Sequence, residues 1–276
     1  MIVYPTCKIN IGLRILEKRP DGYHNLETVC FPIGWTDILE ITPHSEITLI
    51  CQGLDIPVSA SQNLCVKAVQ CLQKDYPEQV KGAHIHLYKR IPMGAGLGGG
   101  SADAAYTLLA LNRLYSLNLS LIKLQKYAEQ LGSDVAFFLY RSPQFCYEKG
   151  QKMQCISLSI PYPILVIYPG VHSDTKLAYQ NVIYQNHKGK SLWYDISSLP
   201  VSEWKNYIHN DFERSVGQVY PQILEIKEKM YYYQAIYASM SGSGSAVYGI
   251  FANVEGIKKL LQEIPKSYLY HVQIKS

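Results

Sequence analysis

Along CKINIGLRI, residues 7–15, apolar and polar positions alternate: Cys7, Ile9, Ile11 and Leu13 fall on one face of a strand, Lys8, Asn10 and Gly12 on the other. RPDGYHN then supplies a turn at Asp21 and Gly22, followed by strand-like runs over 28–33 and 38–41. The period lengthens at Leu64, Ala68 and Leu72, predicting a helix over 61–76 with Ser61 as its cap. GAHIHLYKRIP reads as a strand stopped by Pro92. Past a run of glycines, Ala105, Leu108, Leu109 and Leu114 recur at helical spacing, with Ser101 where an N-cap would stand and Asp103 in the first turn. Another helix over 120–131 is closed by Gly132. The second half opens on the apolar strand PYPILVIYPG and closes on the alternating SYLYHVQIK, with helices near 221–231 and 255–264 between them. Residues 173–200 are polar and show no clear period. Antiparallel hairpins mixed with strand-to-helix order predict an α+β fold in two lobes, 1–155 and 156–276.

Composition narrows the classes. A chain of 276 residues, 47% hydrophobic, buries one large core or two modest ones. A net charge of +4 with no basic block predicts no nucleic-acid partner. Seven cysteines at irregular gaps, with no C-x-x-C pair, argue against a disulfide framework or a zinc site and for reduced thiols in the cytoplasm. His84 and His86 share one strand face without an acidic or Cys neighbour in sequence. The opening MIVYPTCKIN carries Pro5 and Lys8 within its apolar run, unlike a signal peptide. Residues 230–254 hold no charge and are long enough to span a bilayer, but Ser239, Ser241, Gly242, Ser243, Gly244 and Ser245 interrupt them, so no membrane span is expected.

The chemistry centres on PMGAGLGGGSADA, residues 92–104. A glycine-rich turn feeding a helix aims several backbone N–H groups, and the positive end of the helix, at one point, which suits a phosphate. A Walker A loop needs Gly-Lys-Ser/Thr, and no Lys follows. Gly94, Gly96 and Gly99 satisfy G-x-G-x-x-G, but Pro92 and Met93 separate them from the strand and no acid about twenty residues on is placed to hold a ribose. Elsewhere two readings stand side by side. Asp134, in QLGSDVAFFL, is either an N-cap or a carboxylate base. Lys8 and Asn10 form either a solvated sheet face or the wall of a cleft in which Lys8 keeps an acid ionised. Tyr23 and His24 are either the flank of a hairpin or a pair that recognises a nucleobase. SGSGSA at 241–246 is either a plain turn or a second backbone nest near phosphate.

PMGAGLGGGSADAA resembles the phosphate loop of the GHMP kinases, whose core is P-x-x-x-G-L-G-S/G-S/G. The likeness continues through CKINIGL, RPDGYHNLETV, NLCVKA, LGSDVAFFL, PGVHSDTKLAY, NDFE and SGSGSAVYG, nearly the whole chain. DGYH points to the branch that phosphorylates a cytidine-diphosphate-linked sugar alcohol in isoprenoid precursor synthesis; another small alcohol, such as homoserine or mevalonate, is the alternative acceptor. The resemblance implies an N-terminal lobe like ribosomal S5 domain 2 and a ferredoxin-like C-terminal lobe. It implies ATP as co-substrate, with Mg²⁺, and small-molecule partners for a monomer or weak homodimer. By matching position, Asp134 is the catalytic base and Lys8 its electrostatic partner. Asn10, Tyr23, His24 and Tyr179 hold the acceptor, with Tyr179 stacking on the far face of the cytosine. Gly94, Gly96, Gly98, Gly99, Gly100 and Ser101 wrap the ATP phosphates, and Asn63 and Lys89 belong to the adenosine pocket. Ser101 is the candidate metal ligand. Two positions depart from the family's usual form: Thr6-Cys7 before Lys8, and Asp103 in place of Asn.

Overall fold

The computed structural model describes residues 1–180, 182 and 190–274. Its strands, in chain order, are β1 (Ile2–Val3), β2 (Thr6–Lys18), β3 (His24–Thr36), β4 (Ile38–Pro43), β5 (Ile47–Gly53), β6 (Ala83–Lys89), β7 (Gln144–Glu148), β8 (Lys152–Cys155), β9 (Ile164–Tyr168), β10 (Ala235–Met240), β11 (Val247–Phe251) and β12 (Leu269–Gln273). They serve two compact units that interleave along the chain. One unit comprises Met1–Cys7, Gly34–Met93 and Gly98–Arg141; the other comprises Lys8–Ile33, Gly94–Leu97 and Ser142–Ser276, with residues on both sides of 155/156.

The first unit is built on a sheet of order β1-β4-β6-β5. β4 and β6 run antiparallel, but β5 and β6 are parallel, which requires a crossover. Helix α1 (Leu64–Asp75) supplies it, burying Val69 and Leu72 along α2 (Gly99–Leu114). Leu39, Ile41, Ile85 and Leu87 point from the sheet into this core with almost no exposure. α3 (Leu121–Leu131) is capped by Ser120, whose Oγ accepts from the Lys123 N–H at 3.3 Å, and ends at Gly132 as predicted. Two other caps move. Ala60–Gln62 form a 3₁₀ turn, so α1 starts later than expected and Asn63, not Ser61, caps it, accepting from the Cys65 N–H at 2.9 Å. Gly98, left-handed at φ 70°, is the residue before α2, so Ser101 lies inside the first turn and Asp103 beyond it.

The second unit holds two sheets, of order β2-β3-β7-β8 and β10-β11-β9-β12. Leu13, Ile15 and Leu26 from the first share one apolar cluster with Leu165, Ile167, Met240 and Val247 from the second, joined by Ile223, Ile226 and Met230 of a helix over Pro221–Tyr232. The Asp21-Gly22 turn closes the β2–β3 hairpin, with the Gly22 N–H on the Arg19 carbonyl at 3.1 Å. The uncharged 230–254 stretch is the end of that helix and the β10–β11 hairpin; among the described residues no helix is long and apolar enough to cross a membrane. The stretch without a period contains short helices at Thr175–Gln180 and Leu192–Ser198, while residues 181 and 183–189 of it lie outside the described ones. None of the seven cysteines is in a disulfide.

Candidate functional site

The glycine loop is shaped by close approach. In the second unit, Gly94 and Gly96 take φ of 63° and 76°, and a Cβ at Gly96 would overlap the Ser241 carbonyl, one at Gly94 the His172 ring. Three hydrogen bonds hold this segment: the Lys8 N–H donates to Leu97 O at 3.0 Å, the Ala246 N–H to Ala95 O at 3.0 Å, and the Ser241 hydroxyl to Gly96 O at 2.9 Å. SGSGSA is therefore the β10–β11 turn, as the first of the two readings has it, and it also braces the glycine loop.

In the first unit, α2 begins directly at the glycines. The Ala102 N–H makes the first helical bond, to Gly98 O at 2.9 Å, so the N–H groups of Gly99, Gly100 and Ser101 are the unsatisfied donors of a helix N-terminus. A methyl group at Gly100 would meet nothing closer than Met93 Cε at 3.9 Å. Packing thus does not demand glycine there, whereas access of an anion to those N–H groups does. The donor set fits phosphate.

Lys8 and Asn10 are not a solvated face: both are about as buried as the apolar residues beside them. The Asn10 amide is fixed on both sides. Its Oδ1 accepts from Lys8 Nζ at 2.5 Å, and its Nδ2 donates to Thr28 Oγ1 at 3.0 Å. The Asn10 N–H donates to Ser241 Oγ at 3.1 Å, and its carbonyl accepts from the Tyr248 hydroxyl at 3.0 Å. A lysine oriented by an asparagine that three other residues hold in place is a preorganised cation.

The pair after the Asp-Gly turn splits. Tyr23 is 61% exposed, with Lys149 Nζ over its ring at 4.7 Å. His24 instead stacks on Tyr179, ring centroids 4.8 Å apart at 20°, and Tyr179 meets Phe212 edge-on at 4.7 Å. The family resemblance implies that Tyr179 stacks on the far face of a cytosine held by Tyr23 and His24; in the structure the His24 and Tyr179 rings touch. Burial, and then the Lys18 charge, hold the His24 pKa below its ordinary value.

Asp134 is half-buried between α3 and a short helix over Phe137–Tyr140. That helix takes Ala136 as its N-cap position and has no side-chain cap bond, so the capping role is not the one found. Asn63 lines a cavity of about 320 Å³ with Leu49, Cys51, Gly53, Leu54 and Val58. Lys89 does not line it. Its ammonium is buried between Asp37, at a very short distance, and Asp103 Oδ2 at 2.8 Å. Among the described residues no three His, Cys, Asp or Glu side chains gather to hold a metal ion.

Within the first unit, a helix N-terminus with free N–H groups and a glycine that packing does not demand is the feature of a phosphate-binding protein, and the build around it is α+β. The model of the GHMP kinases N terminal domain matches residues 63–142, and that of the GHMP kinases C terminal domain residues 199–270. The chain is 47% identical over 254 residues to the 4-diphosphocytidyl-2-C-methyl-D-erythritol kinase of Cytophaga hutchinsonii, covering 91% of this chain and 92% of that one. It is 44% identical, over the full length of both, to the enzyme of the same name from Bacteroides fragilis strain YCH46. A crystal structure of 4-(cytidine 5'-diphospho)-2C-methyl-D-erythritol kinase matches with a TM-score of 0.84 at 30% identity, over 99% of this chain and 98% of that one. The chain belongs to the GHMP kinases and, within them, to the 4-diphosphocytidyl-2-C-methyl-D-erythritol kinase family.

Proposed function

We propose that this protein transfers the γ-phosphoryl group of ATP to the 2-hydroxyl of 4-diphosphocytidyl-2-C-methyl-D-erythritol, a step of isoprenoid precursor synthesis in the cytoplasm. The observation that carries the reading is identity above 40%, over nearly the whole chain, to kinases named for this acceptor. Those names favour it over homoserine or mevalonate.

The hydroxyl oxygen forms a bond to the γ-phosphorus as the bond from that phosphorus to its bridging oxygen breaks, and ADP leaves. Asp134 accepts the hydroxyl proton, and Lys8 offsets negative charge on the reacting groups. The N–H groups at Gly98–Ser101, with the turn from Gly94, hold the phosphates. Adenosine occupies the cavity lined by Asn63, whose volume is at the lower end of the range for small-molecule sites. Asn10 contacts the methylerythritol end, and Tyr23, His24 and Tyr179 hold the cytosine. Mg²⁺, which rarely takes an all-protein cage, would offset charge on the ATP phosphates, and Ser101 is the residue that would help hold it.

Release of ADP is measured with Mg·ATP and a panel of alcohols. The expected result is turnover with the cytidine-diphosphate acceptor and little with homoserine or mevalonate. Turnover restricted to either of the latter overturns the choice of acceptor.

A further inference from the structure

Asp37, the single residue between β3 and β4, is a hub. Its Oδ1 accepts from the Arg90 and Ile91 N–H groups at 2.5 and 2.8 Å, and its Oδ2 takes the Lys89 ammonium. Lys89 reaches on to Asp103 Oδ2 in the second turn of α2 at 2.8 Å. All of these groups lie in the first unit. Residues 89–91 lead into the glycine loop, and α2 leads out of it. The contact is close: a Cβ at Gly99 would stand 2.9 Å from Lys89 Nζ. One cation thus ties together the two ends of a loop that has few side chains of its own to hold its shape. Asp103 is the member whose state is least determined by its neighbours, because its Oδ1 is buried without a hydrogen-bond partner.

We infer that Asp103 is a positioning residue for nucleotide binding: through Lys89 it fixes α2 against the strand end, and so sets the affinity of the phosphate loop for ATP. The inference rests on the reading of 94–101 as that loop. Four titratable groups face or sense Asp103: Lys89 from β6, Asp37 from the β3–β4 junction, Cys65 from α1 and Cys51 from β5. Burial pushes the Asp103 carboxyl up to about 7 against the pull of Lys89, with Asp37 adding to the rise. The tie is therefore strongest when Asp103 is ionised, above that value, and weakens as the pH falls through it. A bulk charge effect has the opposite sign, since neutralising a carboxylate near a phosphate site strengthens anion binding.

Mg·ATP binding without acceptor is titrated calorimetrically between about pH 6 and pH 8.5 for the wild type, Asp103→Leu and Asp103→Asn. Asp103→Leu leaves Lys89 paired with Asp37 and is expected to weaken ATP roughly tenfold at the upper pH, as misplacement of a binding loop does. Asp103→Asn imitates the protonated acid. It is expected to bind about threefold more weakly than wild type at the upper pH and to converge with it at the lower, the protonation of ATP itself being common to both. The acceptor KM stays at the wild-type value in both variants. Wild-type ATP affinity in Asp103→Leu, tighter binding in either variant, or an Asp103→Asn profile parallel to wild type overturns the inference. If Asp103→Leu does not fold, the Asn variant decides alone. A wild-type protein that binds no Mg·ATP refutes instead the reading of the loop on which the inference stands.

Discussion

Asp134 is asked for something no main-chain amide supplies, a site that takes up a proton. Replacing its carboxylate by a carboxamide keeps the shape and removes the base, so Asp134→Asn is expected to lower kcat by about 10²–10⁴, the usual range for a general base. The ATP KM should stay constant, because the proposed phosphate contacts are backbone N–H groups elsewhere in the chain. Steady-state kinetics check both, and wild-type kcat excludes Asp134 from the chemistry. At the acceptor end, Tyr23 is exposed while His24 is already stacked on Tyr179. A base lying on the Tyr179 face would take the place of the ring already stacked there, so acceptor binding would part His24 from Tyr179. Tyr23→Ala is expected to raise the acceptor KM by the equivalent of about 1–3 kcal/mol, with kcat nearly unchanged. In the proposed role, His24 would recognise a ring edge as the neutral imidazole, one donor and one acceptor. With its pKa held below 6.5, that form persists at neutral pH, so the acceptor KM should be flat above pH 7 and rise only in more acidic buffer. A KM that falls on acidification contradicts this role. Alternation in the sequence located Lys8 and Asn10 but not their burial. The hydroxyl that binds the Asn10 N–H belongs to Ser241, 231 positions away, and no local pattern carries that distance.

At the scale of elements, the strands and long helices were legible because period and punctuation agree; the two moved caps show where that agreement ends. Ser61 and Ser101 are favoured capping residues, but a 3₁₀ turn carries the chain past the first, and a left-handed glycine starts α2 ahead of the second. β5, where Leu49, Ile50 and Cys51 run together instead of alternating, and the short pair β7–β8 lack the sustained alternation that marks a strand in sequence. The glycine loop separates two reasons for having glycine. Gly96→Ala forces a methyl group against the Ser241 carbonyl at positive φ, and should cost about 1–3 kcal/mol of stability as well as ATP binding. Gly100→Ala meets open space in a helix, where alanine is the better helix former, so the melting temperature should hold or rise while ATP binding weakens. Thermal melting with and without Mg·ATP reads both. If Gly100→Ala shows the full wild-type shift with nucleotide, the first N–H groups of α2 are not the phosphate site.

The molecule as a whole carries seven thiols outside any disulfide, in graded surroundings, which makes them reporters of where nucleotide sits. Cys7, Cys30, Cys65 and Cys146 are buried and Cys71 is half-buried, while Cys51 and Cys155 are exposed. Alkylation proceeds through the thiolate, and burial raises the Cys65 pKa beyond the range in which a thiol ionises in ordinary buffers. Cys51 lines the cavity assigned to adenosine, and partial burial followed by the Asp103 charge raises its pKa too, so it should label more slowly than its exposure suggests. Cys155, at the end of β8, lies outside that cavity and serves as the internal control. In a brief iodoacetamide treatment near pH 8, mass spectrometry should find label on Cys155 first and Cys51 second, with the four buried thiols modified only after denaturation. Mg·ATP should slow Cys51 several-fold and leave Cys155 unchanged, because protection by a bound ligand scales with the fraction of sites filled. Equal protection of both thiols would mean general stabilisation. No protection of Cys51 at saturating ATP would place the nucleoside away from Asn63, even with the phosphates still held at the glycine loop.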